Sequence, residues 1–172
     1  MGLRREQAPI LADLRDVGVD VPDLWALINR REPYPRAISI LLEHLRKPYS
    51  PRTREAIART LAVPDSNASW NELARMFLSE PAAEPDDVRF ALGAALWGAA
   101  RKAQFPAIRE LLQQSQLGTT RLPLLRAALE VGGAEGEQLV REFVRDEQLG
   151  GEARRLLKIK GMARLRRYGP KR

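Results

Sequence analysis

The 172-residue chain contains no cysteine and a single histidine, His44. The first absence removes disulfides, thiolate metal sites and cysteine nucleophiles. The second leaves imidazole chemistry with one ligand, too few for a His-based metal centre, and one candidate base for a Ser/His/Asp arrangement. No Gly-x-Ser-x-Gly elbow accompanies it, and the ordinary expectation for His44, preceded by Glu43, is a place on a helix surface. Aromatic residues make up only 6% of the chain. No apolar run approaches the ~18–20 residues needed to span a bilayer. The N-terminal MGLRREQAPILADLRD sets charges on both sides of a short apolar stretch, unlike a secretory signal. Glu6 stands where a myristoylation motif takes Ser or Thr. The glycines of VGGAEGEQL follow no strand and lack the Lys-Ser/Thr of a phosphate loop, so they are expected in a turn. A cytoplasmic protein of bacterial type, without membrane contact, metal or cofactor, is the expectation.

What is present is charge and helical periodicity. The formal net charge is +7, but it is unevenly placed. Residues 154–172 carry nine Lys or Arg and no acid, whereas residues 1–153 carry 20 basic and 22 acidic side chains. The body is therefore close to neutral and the basicity belongs to the C-terminal end.

Apolar residues recur at three- and four-residue steps, broken by Pro, Gly and Ser/Asp/Asn. Ile10, Leu11, Leu14 and Val17 predict a helix ending near Gly18. DVPDLWALINRR predicts a second, capped near Asp20 or Val21 with Pro22 in its first turn. Ala37, Ile38, Leu41, Leu42 and Leu45 mark a third, stopped before Pro48. SPRTREAIARTLAV predicts a fourth, with Ser50 as cap and Pro51 in the first turn. Six further segments follow, SWNELARMFLSE through GGEARRLLKIKGMARL, and none alternates with period two. Aligning alternate segments sets Leu42, Phe77, Leu112 and Val144 in one register, and Leu61, Leu96, Leu129 and Leu157 in another. Such steps suit helix pairs of which each is too small to bury its own apolar face.

The stretch AISILLEHLRKPYSPRTREAIARTLA resembles a HEAT repeat: an apolar helix, a Pro-containing turn, and a second helix opening xxRxAxxxxL. The resemblance covers about residues 34–161, and the chain is similar to small bacterial HEAT-like proteins, a group without an assigned activity. It implies an all-α, right-handed α-solenoid of about five antiparallel helix pairs in one domain (1–172). Residues 1–31 would form an atypical cap, 34–161 the repeats and 162–172 a basic extension. It also implies that Arg54, Arg89 and Arg121 tie adjacent repeats, although KPYSP lacks the Asp usual in that turn. HEAT-like di-iron hydroxylases need several His-Glu pairs, which one histidine does not provide. HEAT-like alkylpurine glycosylases need an Asp and aromatics in a basic groove. Trp25, Trp70 and Trp97 are present, but Asp86 and Asp87 follow Pro85 at a helix start, where carboxylates serve as caps.

In such solenoids the second helices line the concave face. The expected partner-binding residues are then Arg52, Glu55 and Arg59 on one such helix, Phe90 and Trp97 on the next, and Arg126 and Glu130 beyond. The helix VRFALGAALWGAA is apolar nearly all round, so Phe90 and Trp97 are either core or an apolar hot spot. Gly93 and Gly98 serve either close helix packing or close approach of a partner. At the C-terminus, Arg154, Arg155, Lys158, Arg164, Arg166 and Arg167 form a basic patch, with Gly161 expected to bend or end the last helix. The expected function is a non-enzymatic scaffold binding a macromolecule, above all a protein. An immunity or antitoxin-like protein that occludes a toxin is one concrete version. The alternative is a nucleic-acid-binding HEAT-like protein, such as a divergent alkylpurine glycosylase, using the basic C-terminus and a positive groove through Arg52, Arg59 and Arg126. A homo-oligomeric assembly subunit is a third class.

Overall fold

The structure, a computed structural model, describes the backbone of residues 2–81 and 87–168 and the side chains of residues 5–81 and 87–161. All regular structure among the described residues is helical. It comprises α1 (Gly2–Asp16), α2 (Leu24–Ile28), α3 (Ile38–Leu45), α4 (Pro51–Thr60), α5 (Trp70–Ser79), α6 (Asp87–Ala99), α7 (Phe105–Gln113), α8 (Leu122–Val131), α9 (Gly133–Glu142) and α10 (Gly150–Tyr168). Short 3-10 turns lead into α3, α5, α7 and α8. The chain divides into two compact units, Met1–Ala100 and Arg101–Arg172.

In the first unit, α4 packs between α2 and α6, while α3 lies on α4 and α5 on α6. The helix ends follow from local chemistry. Gly18, at φ +84, closes α1, and the Val19 N–H returns to the Leu14 carbonyl. Only glycine adopts that left-handed conformation without strain. The cap of α2 is Asp23, which accepts from the Ala26 N–H, so α2 begins after Pro22 and is only five residues long. Ser50 caps α4, with Pro51 at its first position.

Two helix pairs are plugged by an aromatic at the entrance of their first helix. The Tyr34 hydroxyl donates to the Thr60 carbonyl at 2.7 Å, and the Trp70 indole N–H donates to the Leu96 carbonyl at 3.0 Å. Both reach 26 residues ahead, to the last turn of the paired second helix. Each satisfies a carbonyl that a helix end leaves without an intrahelical donor. Burial and the nearby Asp65 carboxylate push the Tyr34 phenol up to about 12.

In the second unit, α8 packs against α7 and α9, and α10 against α9 and α8. Its core is Ile108, Leu112, Leu124, Leu125, Ala128, Val140 and Leu149. VGGAEGEQL only partly forms a turn: Gly136 is buried inside α9. Of the aligned leucine markers, Leu42, Phe77, Leu112, Leu61 and Leu96 are buried. Leu129 is half-buried, Val144 lies beyond α9, and Leu157 is half-buried while Leu156 takes the core position.

Gly161 does not end the last helix, because α10 continues to Tyr168. An isolated glycine in an exposed helix costs only ~1 kcal/mol relative to Ala, and the Ala, Leu, Met, Lys and Arg around it favour helix. His44 also departs from expectation. It is 1% exposed, with Nε2 2.8 Å from the Asp13 carboxylate and Nδ1 2.8 Å from the Tyr49 hydroxyl. With a partner on each ring nitrogen, the imidazole is buried without an unsatisfied polar atom.

Candidate functional site

Arg54, Arg89 and Arg121 all sit in the first turns of second helices or just before them, and all reach across a helix-helix junction. Arg54 grips the Glu80 carboxylate through two bonds of 2.6 Å. Arg89 donates to the backbone carbonyl of the same Glu80. Glu80 thus receives one arginine from the preceding pair and one from its own. In the second unit Arg121 is 2% exposed. It donates to the carbonyls of Leu112 (2.6 Å) and Gly118 (3.0 Å) and to the Gln148 side chain, with the Asp146 carboxylate 3.9 Å away. Arg154, which the sequence marks only as one of many C-terminal cations, repeats the contact by donating to the Val144 carbonyl. Arg54, Arg89 and Arg121 hold the helices in place, whereas Arg154 makes its junction contact through one N–H and stays exposed.

The outward face of the α4–α6 layer is different. On α4, Arg52 is exposed, while Glu55 and Arg59 are half-buried and paired with one another at 2.7 Å. On α6, the residues left partly exposed are Phe90, Ala94, Trp97 and Gly98, at helical spacing along one stripe. The rest of α6, from Val88 through Leu92, Leu96 and Ala99, is core. Phe90 and Trp97 are therefore neither fully buried nor fully free: each has one side against the protein and the other toward solvent. A Cβ on Gly98 would fall 2.3 Å from the Ala62 backbone, so this glycine serves the close approach of α4 and α6. On the other side of α4, α2 leaves Trp25 and Ile28 half-buried. Trp25 escaped inclusion in the sequence-derived surface because α2 is too short to show a full apolar stripe.

The seven expected partner-binding residues are divided between the two units. Arg52, Glu55, Arg59, Phe90 and Trp97 lie on two packed helices of the first unit. Arg126 and Glu130 lie on α8 of the second. Arg126 is half-buried and 3.7 Å from Glu152, and Glu130 is exposed. With Arg59 paired to Glu55 and Arg126 to Glu152, two of the cations required by a positive groove are neutralised locally. Asp86 lies outside the described residues; Asp87 is the exposed first residue of α6.

Of the basic patch, Arg154, Arg155 and Lys158 are exposed on α10. The side chains of Arg164, Arg166 and Arg167 lie outside the described residues, though their backbone is helical. Glu152, the one acid of α10, bonds Arg155 at 2.6 Å. That contact and the nearby Arg126 hold its carboxyl below the usual range against the opposing effect of burial.

A cavity of about 440 Å³ lies among Arg46, Tyr49, Arg54, Met76 and Glu80. Its arginines are taken by Glu72 and Glu80. Among the described residues no group of three or more His, Cys, Asp or Glu side chains is placed to hold a metal ion. No described helix is long and apolar enough to cross a membrane. Comparison of the chain with protein-family models, curated proteins and solved structures found no match.

Proposed function

We propose that the chain is a HEAT-like helical-repeat scaffold without catalytic activity, and that it binds a protein partner on the outward face of α4 and α6. The observation that carries this reading is the half-buried stripe Phe90–Ala94–Trp97 on α6, a helix packed against α4 with its exposed Arg52 and Glu55–Arg59 pair. An aromatic anchored on one side has already lost most of its rotamer freedom, so little further ordering opposes its burial by a partner. Aromatic anchors ringed by polar groups have the composition of interface hot spots. The recurrent arginine contacts and aromatic plugs support a repeat architecture, because each joins consecutive helices in the same way. A protein that occludes a toxin would use such a rigid face, and the same face would serve a regulatory binder.

The test is partner capture with the wild-type chain and with Ala94→Arg, whose added side chain points out of the stripe. A captured protein is then purified and titrated against both. Loss of its binding by Ala94→Arg, with an unchanged circular dichroism spectrum, supports the reading. Equal affinity of the two chains for that protein rejects it.

A further inference from the structure

The C-terminal helix carries a surface of another kind. Ala153 and Leu156 bury one side of α10 against the second unit, and Lys160 on that flank lies 3.5 Å from Glu137. The opposite side exposes Arg154, Arg155, Lys158 and Ile159, which recur at the three- and four-residue steps of a single helix face. The helix then continues for nine residues beyond Ile159 to Tyr168. Over residues 154–172 the chain has nine basic residues and no acid.

We propose that this face of α10 docks on the phosphate backbone of a nucleic-acid duplex, without reading its sequence. Three features select this occupant. A protein interface needs a desolvated apolar centre, and Ile159 is the only large apolar side chain on the described part of the face. Single-stranded nucleic acid is held largely by stacking on successive aromatic rings, and the sequence of α10 holds one aromatic residue, Tyr168, at its last position. A duplex needs neither: it presents one phosphate charge per ~1.7 Å of its axis, and release of its counterions drives binding to a row of cations. A helix advances ~1.5 Å per residue, so Arg154 and Lys158 stand ~6 Å apart along α10, about two phosphate steps of one strand at ~3.4 Å each. The Arg-rich composition adds forked donors suited to phosphate oxygens. On α10, Arg155 keeps its bond to Glu152, as Arg54, Arg59 and Arg126 keep theirs to Glu80, Glu55 and Glu152, so Lys158 and the outer N–H groups of the arginines make the first contacts.

The experiment is fluorescence anisotropy of a labelled 20-base-pair DNA duplex of mixed sequence, titrated with the full chain between 50 and 200 mM KCl. Three phosphate contacts alone predict a slope of log K against log salt near ~−2.7, or roughly 40-fold weaker binding across that range. Arg155→Glu combined with Lys158→Glu is expected to weaken binding at least ~10-fold at 50 mM KCl and to flatten the slope by about two units. Lys158→Arg should leave both unchanged. Should the double variant lose its helical circular dichroism, Lys158→Glu alone carries the test, with a slope flatter by about one unit. The proposal is overturned by any of three results: no binding at 50 mM KCl, charge-reversed chains that bind as the wild type does, or displacement of the duplex by polyglutamate at equal charge concentration. The last would assign the face to an acidic protein.

Discussion

The two units join their helix pairs with arginines of similar placement but surround them differently. In the first unit, Arg54 meets the Glu80 carboxylate at a junction that retains solvent contact, and Arg89 shares the same residue through its carbonyl. In the second, Arg121 is enclosed and satisfies two backbone carbonyls and a side-chain amide by itself. The first unit spreads the junction over several groups, including the Tyr34 and Trp70 plugs, whereas in the second Arg121 alone closes the junction of α7 with α8. Their outward faces differ in the same sense. The first offers half-buried aromatics on α6, where affinity would come from apolar area; the second offers cations on α10, where it would come from charge and fade with salt.

Substitution at the junctions tests this contrast. Arg121→Ala is expected to have the largest effect, about 3–4 kcal/mol of lost stability, since it opens a cavity and leaves the Leu112 carbonyl without its donor. Arg54→Ala should cost less, about 2 kcal/mol, because Glu80 can turn toward water once its partner is gone. Urea denaturation of both variants checks the order, and equal or reversed losses would erase the distinction between enclosed and shared junctions. Gly98→Ala should cost about 1–3 kcal/mol, because its methyl group meets the Ala62 backbone and the helices must separate. A neutral effect in the same assay would mean that α4 and α6 have slack at that crossing.

The Tyr34 plug gives a smaller effect with a pH signature. Tyr34→Phe removes one buried hydrogen bond, for a loss of about 1 kcal/mol near neutrality. The folded phenol titrates at about 12 and the unfolded one near ~10. A raised folded value means that the stabilising contribution is intact below ~10 and is lost as pH climbs from there toward about 12. Unfolding free energies between pH 9 and 11.5 should therefore fall more steeply for the wild type than for Tyr34→Phe.

The smallest effect is expected at Glu6. Its carboxylate accepts from the Ser50 hydroxyl and the Thr53 hydroxyl, and also from the Ser50 backbone N–H, which together hold it below the ordinary glutamate range. A lowered folded value means stability present above the unfolded pKa and lost as pH falls through the folded one. Acid titration of Glu6→Gln should accordingly show a slightly shallower loss than the wild type.

The helices were legible because their signals are local: three- and four-residue spacing, the Ser50-Pro51 cap and the stop at Gly18. Spacing also set Phe90 and Trp97 on one side of their helix, but left open whether that side is core or surface, because the helix is apolar nearly all round. What sequence does not display is which long-range neighbour satisfies a polar group. His44 is expected on a surface because its two partners are Asp13, thirty-one residues away in sequence, and the nearby Tyr49. Arg154 is hidden among eight other C-terminal cations, and only the position of the Val144 carbonyl sets it apart. Gly161 misleads for the opposite reason: a breaker signal in isolation is overcome by the helix-favouring residues around it.

The central claim is that α6 presents its aromatic stripe to a protein partner. It is tested most directly by isothermal titration of that partner, once captured, against the wild type, Phe90→Ala, Trp97→Ala and Ala94→Arg, with Lys158→Glu as the comparison on α10. Loss of at least ~2 kcal/mol of binding free energy in each α6 variant, with wild-type affinity retained by Lys158→Glu, is the predicted result. Undiminished affinity in the α6 variants, together with loss in Lys158→Glu, would contradict the account and move the partner-binding surface to the C-terminal helix.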